Sequence, residues 1–276
     1  MKRQNREKIP AVVLTIVLLL FLLIPFFAMI STMLKSSTEV YASPPTWIPK
    51  DIHLGNFITV WTEFELFIYF KSSIIIAVGA TILNTLLTVP AAYAVARLRF
   101  IGRGLILYLF LVIQMFSPVI VIISLFKIMV GLNLLDTYFS LIIANTVFTI
   151  AFTIWMMNGY FRSIPMEIEE AALIDGCSRV QTITRIMIPI AVPGLVTAMI
   201  YTFIYAWNEF LFGLSFIQSK PKMPLVLGLY NFVGRWSTQW ELLTMAAFLA
   251  IIPVLVLFYL IERRLVAGLA GGAVKE

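Results

Sequence analysis

Six windows without Asp, Glu, Lys or Arg limit what this chain can fold into. They are 20 to 26 residues long and cover 9–34, 72–96, 104–126, 137–161, 186–208 and 242–261. About 20 helical residues cross the hydrocarbon core of a bilayer. Strands of a membrane barrel would need short stretches of alternating hydrophobicity, and the sequence lacks these. The windows predict an all-α polytopic membrane protein, one membrane domain over 1–276, with six transmembrane helices at about 11–33, 72–96, 105–127, 140–160, 193–216 and 242–261.

The charged residues are concentrated between these windows. They make up 12% of the chain, against about 25% in a soluble domain. If the N-terminus is cytoplasmic, 13 Lys and Arg residues fall on the cytoplasmic side and 7 on the other. Cytoplasmic loops carry the excess of Lys and Arg, so we expect both termini and the loop 162–190 to be cytoplasmic. The net charge of +6 then reflects membrane topology, and no nucleic-acid partner is expected.

Residues for metal binding or catalysis are scarce. Cys177 is the only cysteine and His53 the only histidine, and they lie far apart in the sequence. A membrane-embedded enzyme would need several His, Cys, Asp or Glu side chains at one depth. There is also no Gly-x-x-x-x-Gly-Lys-Ser/Thr phosphate loop. We therefore expect no metal site, no catalytic residue and no enzyme activity in this chain.

The loop 162–190 is the one long polar segment between two predicted spans. Pro165 suits the first turn of a short helix, and the acids that follow favour its positive end. Gly176 supplies a helix stop that tolerates positive φ. Ser178 and Gln181 have the spacing of a capping box for a second helix that ends near Pro189.

The first of these short helices combines small side chains with carboxylates. Ala171 and Ala172 follow Ile168 by three and four residues, so we expect the two alanines to share one face. Small side chains allow another protein to approach closely, and a neighbouring carboxylate gives that approach a charged anchor. Periodicity alone fits an amphipathic helix on the membrane surface slightly better.

The residue order of this loop resembles the "EAA" loop of permease subunits in binding-protein-dependent ABC importers. Glu170-Ala171-Ala172 is followed by Asp175-Gly176, and later by Ile186, Ile188 and Pro189. Cys177 stands where alanine is usual, and Ile183 where an aromatic residue is common. The resemblance implies the type I ABC importer permease fold, with a core of about 70–262, and docking of the loop on a separate ATPase. The residues implied in that coupling are Glu170, Ala171, Ala172, Asp175, Gly176 and Pro189.

Two further segments resemble the second permease subunit of importers of the maltose and glycerol-3-phosphate type. They are Tyr205–Phe210 and the tail 266–275. The resemblance implies carbohydrate uptake across a bacterial or archaeal cell membrane. It also implies a second permease subunit, an ATPase dimer that binds ATP-Mg, and an extracytoplasmic sugar-binding protein, with no cofactor in this chain. The tail residues implied to contact the ATPase in an extended conformation are Gly268, Gly271, Gly272 and Lys275.

Polar residues at membrane depth are candidates for a substrate path. The set is Gln114, Asn145, Tyr205, Asn208 and Glu209. Amides, hydroxyls and aromatic rings suit sugars, but interhelical hydrogen bonding is the simpler explanation for any single residue. Glu209 is the only acid inside a predicted span away from its very end. A functional role in the membrane and a structural role, facing water or capping a neighbouring helix, fit it equally well.

The long outer loop 218–239 also carries aromatic and amide side chains. We expect Tyr230, Asn231 and Phe232 to contact the external binding protein, as the resemblance implies for this position. Anchoring at the membrane interface by Tyr and Trp is the alternative.

Two other functions stay open at this stage. One is a permease of an ABC importer for another small solute, such as an amino acid, polyamine or phosphate ester. The other is an ion-coupled secondary transporter, which would normally show ionisable residues near the midplane and internal repeats.

Overall fold

Helices make up most of the described backbone. The computed structural model describes the backbone of residues 2–234 and 237–273, and the side chains of residues 10, 12–234 and 237–260. The first helices are α1 Lys2–Met33, α2 Ser37–Val40, α3 Gly55–Thr62, α4 Leu66–Arg97, α5 Arg103–Gln114, α6 Pro118–Gly131 and α7 Tyr138–Ser163. The later ones are α8 Met166–Ile174, α9 Arg179–Thr182, a π-helix Ile183–Met187, α10 Ile188–Ile190, α11 Val192–Trp207, α12 Leu211–Phe216, a 3-10 turn Lys220–Lys222, α13 Leu225–Tyr230 and α14 Trp240–Ala273.

The chain divides into two compact units. One comprises Met1–Leu66 with Leu229–Ile252, and the other comprises Phe67–Gly228 with Pro253–Glu276. In the first unit, the amide of Asn56 donates to the backbone oxygens of Met33 and Lys35, at 2.9 and 2.8 Å. These bonds fix the segment that follows α1 against α3. The single membrane domain over 1–276 stays a prediction.

Four described helices are long and apolar enough to cross a bilayer. They cover Val12–Met33, Leu66–Arg97, Tyr138–Ser163 and Trp240–Leu260. Two further crossings follow if each of two sharply bent helix pairs counts as one span. These pairs are α5 with α6, bent by 100°, and Arg179–Ile190 with α11, bent by 83°.

The predicted continuous third span, 105–127, is wrong in one respect. The helix is interrupted at residues 115–117, between α5 and α6. Pro118 is the first residue of α6, and Ser117 before it is extended, with φ −66° and ψ 134°. A residue that precedes proline is driven away from helical geometry by the proline ring. The proline therefore starts a new helix instead of kinking an old one.

The fifth predicted span, 193–216, is interrupted as well. α11 ends at Trp207 and α12 begins at Leu211, which places Glu209 in the break. The Glu209 carboxylate accepts hydrogen bonds from the backbone N–H groups of Phe212, at 2.5 Å, and Gly213, at 3.0 Å. These are N–H groups that the first turn of a helix leaves without partners. The acid therefore caps the helix that follows it.

A polar ladder joins α4 to α7 in the second unit. Asn84 donates to Thr149 at 2.8 Å and accepts from Thr153 at 2.9 Å, and Thr88 and Thr153 lie 2.8 Å apart. All four side chains are buried. Side chains of this kind join helices by hydrogen bonds inside membranes. The ladder fixes which side of α7 faces α4.

A hydrophobic cluster continues from this ladder towards the loop 162–190. It contains Val89, Ala92, Tyr93, Ile154, Met157, Phe161, Ile164, Met187, Ala191 and Ala198. The cluster therefore packs α4, α7 and the beginning of α11 together beside α8.

Candidate functional site

The loop 162–190 has the local geometry that its sequence predicts. α8 ends at Ile174, and Gly176 follows with φ +87°. The hydroxyl of Ser178 accepts from the N–H of Gln181 at 3.3 Å, and the side chain of Gln181 accepts from the N–H of Ser178 at 2.8 Å. The predicted helix stop and capping box are thus confirmed. The coupling role of these residues stays a prediction.

The two faces of α8 have different surroundings. Glu170 and Ala171 are exposed, whereas Glu169 and Ala172 are buried. The expectation that both alanines share one exposed face is therefore wrong. Successive residues of a helix lie about 100° apart, so adjacent alanines can fall on either side of a boundary between buried and exposed arcs.

Glu169 forms a buried ion pair with the end of α4. Its Oε2 lies 3.2 Å from Nε of Arg97, and the two side chains are 4% and 7% exposed. The N–H of Nε does not point at this oxygen, so the attraction is between the charges and is not a hydrogen bond. The hydroxyl of Tyr93 donates to the other carboxylate oxygen, Oε1. The sequence has three acids within four residues, Glu167, Glu169 and Glu170, and it does not indicate which of them is buried.

Arg97 also holds the entrance to α8. Its Nη2 donates to the backbone oxygen of Ile164 at 2.6 Å, and its Nη1 lies 3.6 Å from the sulfur of Met166. One guanidinium therefore contacts the residues before α8, its first turn and its buried acid. We call Tyr93, Arg97 and Glu169 the α4–α8 anchor.

The second half of the loop continues into α11. α9 passes into the π-helix Ile183–Met187, then α10, and the chain turns at Ala191. Pro189 lies one residue before the end of α10 at Ile190, so the expectation that the second helix ends near it is confirmed. The N–H of Ala191 donates to the oxygen of Met187 at 2.9 Å, which carries the hydrogen bonding past the proline. The loop is therefore joined to α4 by the anchor and to α11 by a continuous backbone.

Three of the five predicted path residues lie together. Tyr205, Asn208 and Glu209 line a cavity of about 520 Å³ that also includes Pro118 at the start of α6. The amide of Gln114 donates to the hydroxyl of Tyr201, at 3.4 Å. The break between α5 and α6 lies between Gln114 and Pro118.

Asn145 does not line this cavity. Its side chain is 0% exposed, and its amide donates to the backbone oxygen of Leu141 at 2.8 Å. The prediction that it lies on the path is therefore wrong. Hydropathy alone could not distinguish an amide that packs inside the helix bundle from one on a path.

The predicted binding-protein contact is divided between exposed and buried residues. Tyr230 and Asn231 are exposed. Phe232 is 2% exposed, and its ring lies 4.4 Å from that of Phe64. The prediction that Phe232 contacts an external protein is wrong, because its ring is used in packing.

The C-terminal tail also differs from expectation. The backbone remains helical through Ala273, so Gly268, Gly271 and Gly272 belong to α14 and are not extended. Lys275 lies outside the described residues. Each glycine costs a helix about 1 kcal/mol relative to alanine, and Leu269 and Ala270 between them are good helix formers that favour continuation of α14.

A carboxylate ties two loops of the second unit together. Oδ1 of Asp136 accepts from the N–H groups of Ser219 and Gln218, at 2.9 and 3.1 Å, and from the Ser219 hydroxyl at 2.8 Å. Lys222 lies 3.3 Å from Oδ2. These contacts hold the pKa of Asp136 well below its usual range. The hydrogen bond from the Ser219 N–H contributes most, and the Ser219 hydroxyl, the Gln218 N–H and Lys222 add to it.

The apolar helices, the bent spans and the capped loop together define a helical membrane permease. Residues 88–270 match the family described as the inner membrane component of binding-protein-dependent transport systems. The chain belongs to this family, and it is a multi-pass membrane protein.

Curated relatives extend over nearly the whole chain. A sulfoquinovosyl glycerol transport system permease of Agrobacterium fabrum is 35% identical, over 92% of this chain and 89% of the relative. A diacetylchitobiose uptake system permease of Streptomyces coelicolor is 30% identical, over 100% of both chains.

A solved structure shows the same fold. It is a bacterial ABC transporter involved in the import of the acidic polysaccharide alginate. One of its chains superimposes with a TM-score of 0.82 at 23% identity, covering 95% of this chain and 98% of that one. The type I ABC importer permease fold that the sequence predicts is therefore confirmed.

Proposed function

We propose that this chain is the transmembrane subunit of an ATP-driven carbohydrate importer. Relatives that match most of the chain are named for the transport of a sulfoquinovosyl glycerol and of diacetylchitobiose. The cavity at Tyr205, Asn208 and Glu209 offers the amide, aromatic and carboxylate groups that recognise carbohydrates. A second permease subunit would complete the translocation path.

The loop 162–190 couples this path to a separate ATPase dimer. The observation that supports this role is the division of α8 into an exposed face with Glu170 and Ala171 and a buried face held by the α4–α8 anchor. A short helix fixed on one side moves with the elements that hold it. A push on the exposed face would therefore reach α4 through the anchor and α11 through the backbone.

The remaining components follow from this arrangement. ATP-Mg binds in the ATPase dimer, which hydrolyses it, and the chain itself holds no cofactor. An extracytoplasmic binding protein delivers the sugar, as the family description implies. The residues proposed for ATPase contact are Glu170, Ala171, Asp175, Gly176 and the tail around Gly268, with both termini cytoplasmic.

Glu170→Lys tests the coupling. We propose that Glu170 pairs with a basic residue of the ATPase subunit. In vesicles with the full transporter, this variant is therefore expected to insert and assemble normally and to lose sugar uptake, because a lysine would repel that residue. Asp51→Lys makes the same charge change at an exposed site on the opposite predicted side and is expected to keep uptake. Normal sugar uptake by Glu170→Lys would contradict the coupling role of this residue. If the wild-type transporter takes up labelled amino acids but not sugars, the carbohydrate assignment is wrong.

A further inference from the structure

Four aromatic side chains form a continuous line along α7 and α11. The ring centroids of Tyr205 and Tyr201 lie 6.4 Å apart, those of Tyr201 and Phe152 4.5 Å, and those of Phe152 and Trp155 6.1 Å. Tyr205 lies one helical turn from Tyr201 on α11, and Trp155 one turn from Phe152 on α7. We call these four residues the aromatic track.

The track is separate from a second group of rings around the buried Trp207. On α11, the half-buried Phe203 stacks on Trp207 with centroids 5.8 Å apart, and Trp207 contacts Phe70 at 5.9 Å. Phe203 is two residues from Tyr201 and hence on roughly the opposite side of the helix. The rings around Trp207 belong to the packing between α4 and α11.

The rings of the track are partly exposed to solvent in the part of the chain that the structure describes. Trp155 is 45% exposed, and Phe152, Tyr201 and Tyr205 are each half-buried. On α7, Trp155 is two residues from Thr153, so it points away from the polar ladder that faces α4. The track thus lies on a surface that neither α4 nor the rings around Trp207 cover.

A cavity lies at each end of the track, and each has a mainly apolar lining with a few amide or charged side chains. The cavity at the Tyr205 end contains Asn208 and Glu209. At the other end, a cavity of about 460 Å³ is lined by residues that include Trp155, Asn158 and Arg162. The Asn158 side-chain oxygen is buried and has no hydrogen-bond partner among the described residues.

One polar group also stands beside the middle of the track. Gln114, at the end of α5, donates to the hydroxyl of Tyr201. A surface that only faced lipid chains would place amides at this depth at a considerable cost in free energy. The track therefore combines aromatic rings with amides at its middle and at both ends. Such a surface suits a ligand that has apolar and polar sides.

We propose that the aromatic track binds the ring faces of a pyranose as it passes between the two cavities. This inference rests on the proposed carbohydrate function and names the residues that meet the sugar. The C–H face of a pyranose is apolar and faintly positive, so it suits the negative face of an aromatic ring. Gln114 and Asn208 bind the hydroxyl groups at the rim, and successive rings let the sugar move without leaving all its contacts at once.

The test compares matched leucine variants on the two sides of α11. Tyr201→Leu removes a ring of the track, and Phe203→Leu removes an equally half-buried ring from the opposite side of the same helix, where it stacks on Trp207. In proteoliposomes with the complete transporter and sugar-loaded binding protein, Tyr201→Leu is expected to lower the sugar carried per ATP hydrolysed by roughly 3- to 10-fold, the range expected for one aromatic contact. Phe203→Leu is expected to leave that ratio unchanged, and Tyr201→Phe to retain most of it because the ring persists.

Two outcomes would overturn the aromatic track, and a third would overturn the proposed function. An equal sugar-to-ATP ratio in Tyr201→Leu, Trp155→Leu and the wild type would overturn the track. So would a loss of transport that only follows a loss of assembled complex, since that result would make this surface a contact with the partner permease. A wild-type transporter that moves no carbohydrate would overturn the proposed function itself.

Discussion

The α4–α8 anchor gives the sharpest prediction, because it is buried and because its partners come from two different helices. Glu169→Gln removes the negative charge beside the Arg97 guanidinium while keeping the shape of the side chain and an acceptor for Tyr93. Removing one partner of a buried ion pair costs about 3–5 kcal/mol, since the other charge is left in a medium of low polarity. Arg97 keeps its bond to the Ile164 oxygen, so the lower end, about 3 kcal/mol, is expected.

This loss is measurable as a change in melting temperature and in coupling. For a chain of this size, about 3 kcal/mol corresponds to a shift on the order of 5–10 °C. We expect the assembled transporter with Glu169→Gln to melt earlier by that amount, and its binding-protein-stimulated ATP hydrolysis and sugar uptake to fall because α8 is no longer held to α4. The matched control is Glu167→Gln, which neutralises an exposed acid on the same helix and should change neither quantity.

A double-mutant cycle separates the pair from its surroundings. Arg97→Gln alone leaves the Glu169 carboxylate buried with Tyr93 and should destabilise at least as much as Glu169→Gln. The double variant Arg97→Gln with Glu169→Gln has no buried charge at this site and should lose less stability than the sum of the two single variants. If Glu169→Gln melts and transports like Glu167→Gln, or if the two single effects simply add, the anchor does not hold α8.

Four further outcomes are expected. Gly176→Val should reduce coupling through backbone strain of about 1–2 kcal/mol at positive φ. A steric clash does not contribute, because no atom lies within 4 Å of the added Cβ. Gly104→Val, in equally open space without positive φ, is the control, and equal ATPase stimulation in both variants would exclude strain as a cause. Asp136→Asn should lower the melting temperature at pH 7, and its difference from wild type should shrink below about pH 4. A carboxylate whose pKa is lower in the folded than in the unfolded protein stabilises the fold above the unfolded pKa, and this stabilisation is lost as the pH falls towards the folded pKa. A pH-independent difference would contradict this. The double variant Tyr230→Ala with Asn231→Ala should lower the stimulation of ATP hydrolysis by the loaded binding protein and keep basal ATP hydrolysis. Phe232→Ala should instead lower the free energy of unfolding, by about 3 kcal/mol or more. Unaltered stimulation in the double variant would assign Tyr230 and Asn231 to anchoring at the membrane interface. Truncation after Val266 should reduce uptake at equal amounts of assembled complex, and unchanged uptake would remove the tail from the ATPase contacts.

Features that depend on neighbouring residues in the chain were accessible from the sequence. The charge-free windows marked the spans because a bilayer excludes charges over a fixed thickness. Gly176 and the pair Ser178 and Gln181 determined a helix stop and a capping box, since both depend on backbone groups within a few residues. The order of residues from Glu170 to Pro189 sufficed to identify the family.

Features that depend on distant partners were decided only by the tertiary structure. Periodicity places Glu169, Glu170, Ala171 and Ala172 around one helix, but only packing against α4, α9 and the π-helix determines which arc is buried. The same holds for Asn145 and Phe232, whose residue types suit a path or a contact surface as well as a core. The aromatic track is likewise invisible in the sequence, because Phe152 and Tyr201 are 49 positions apart and meet only when α7 packs on α11. Local sequence sets backbone conformation, whereas the environment of a side chain depends on the helix that lies against it.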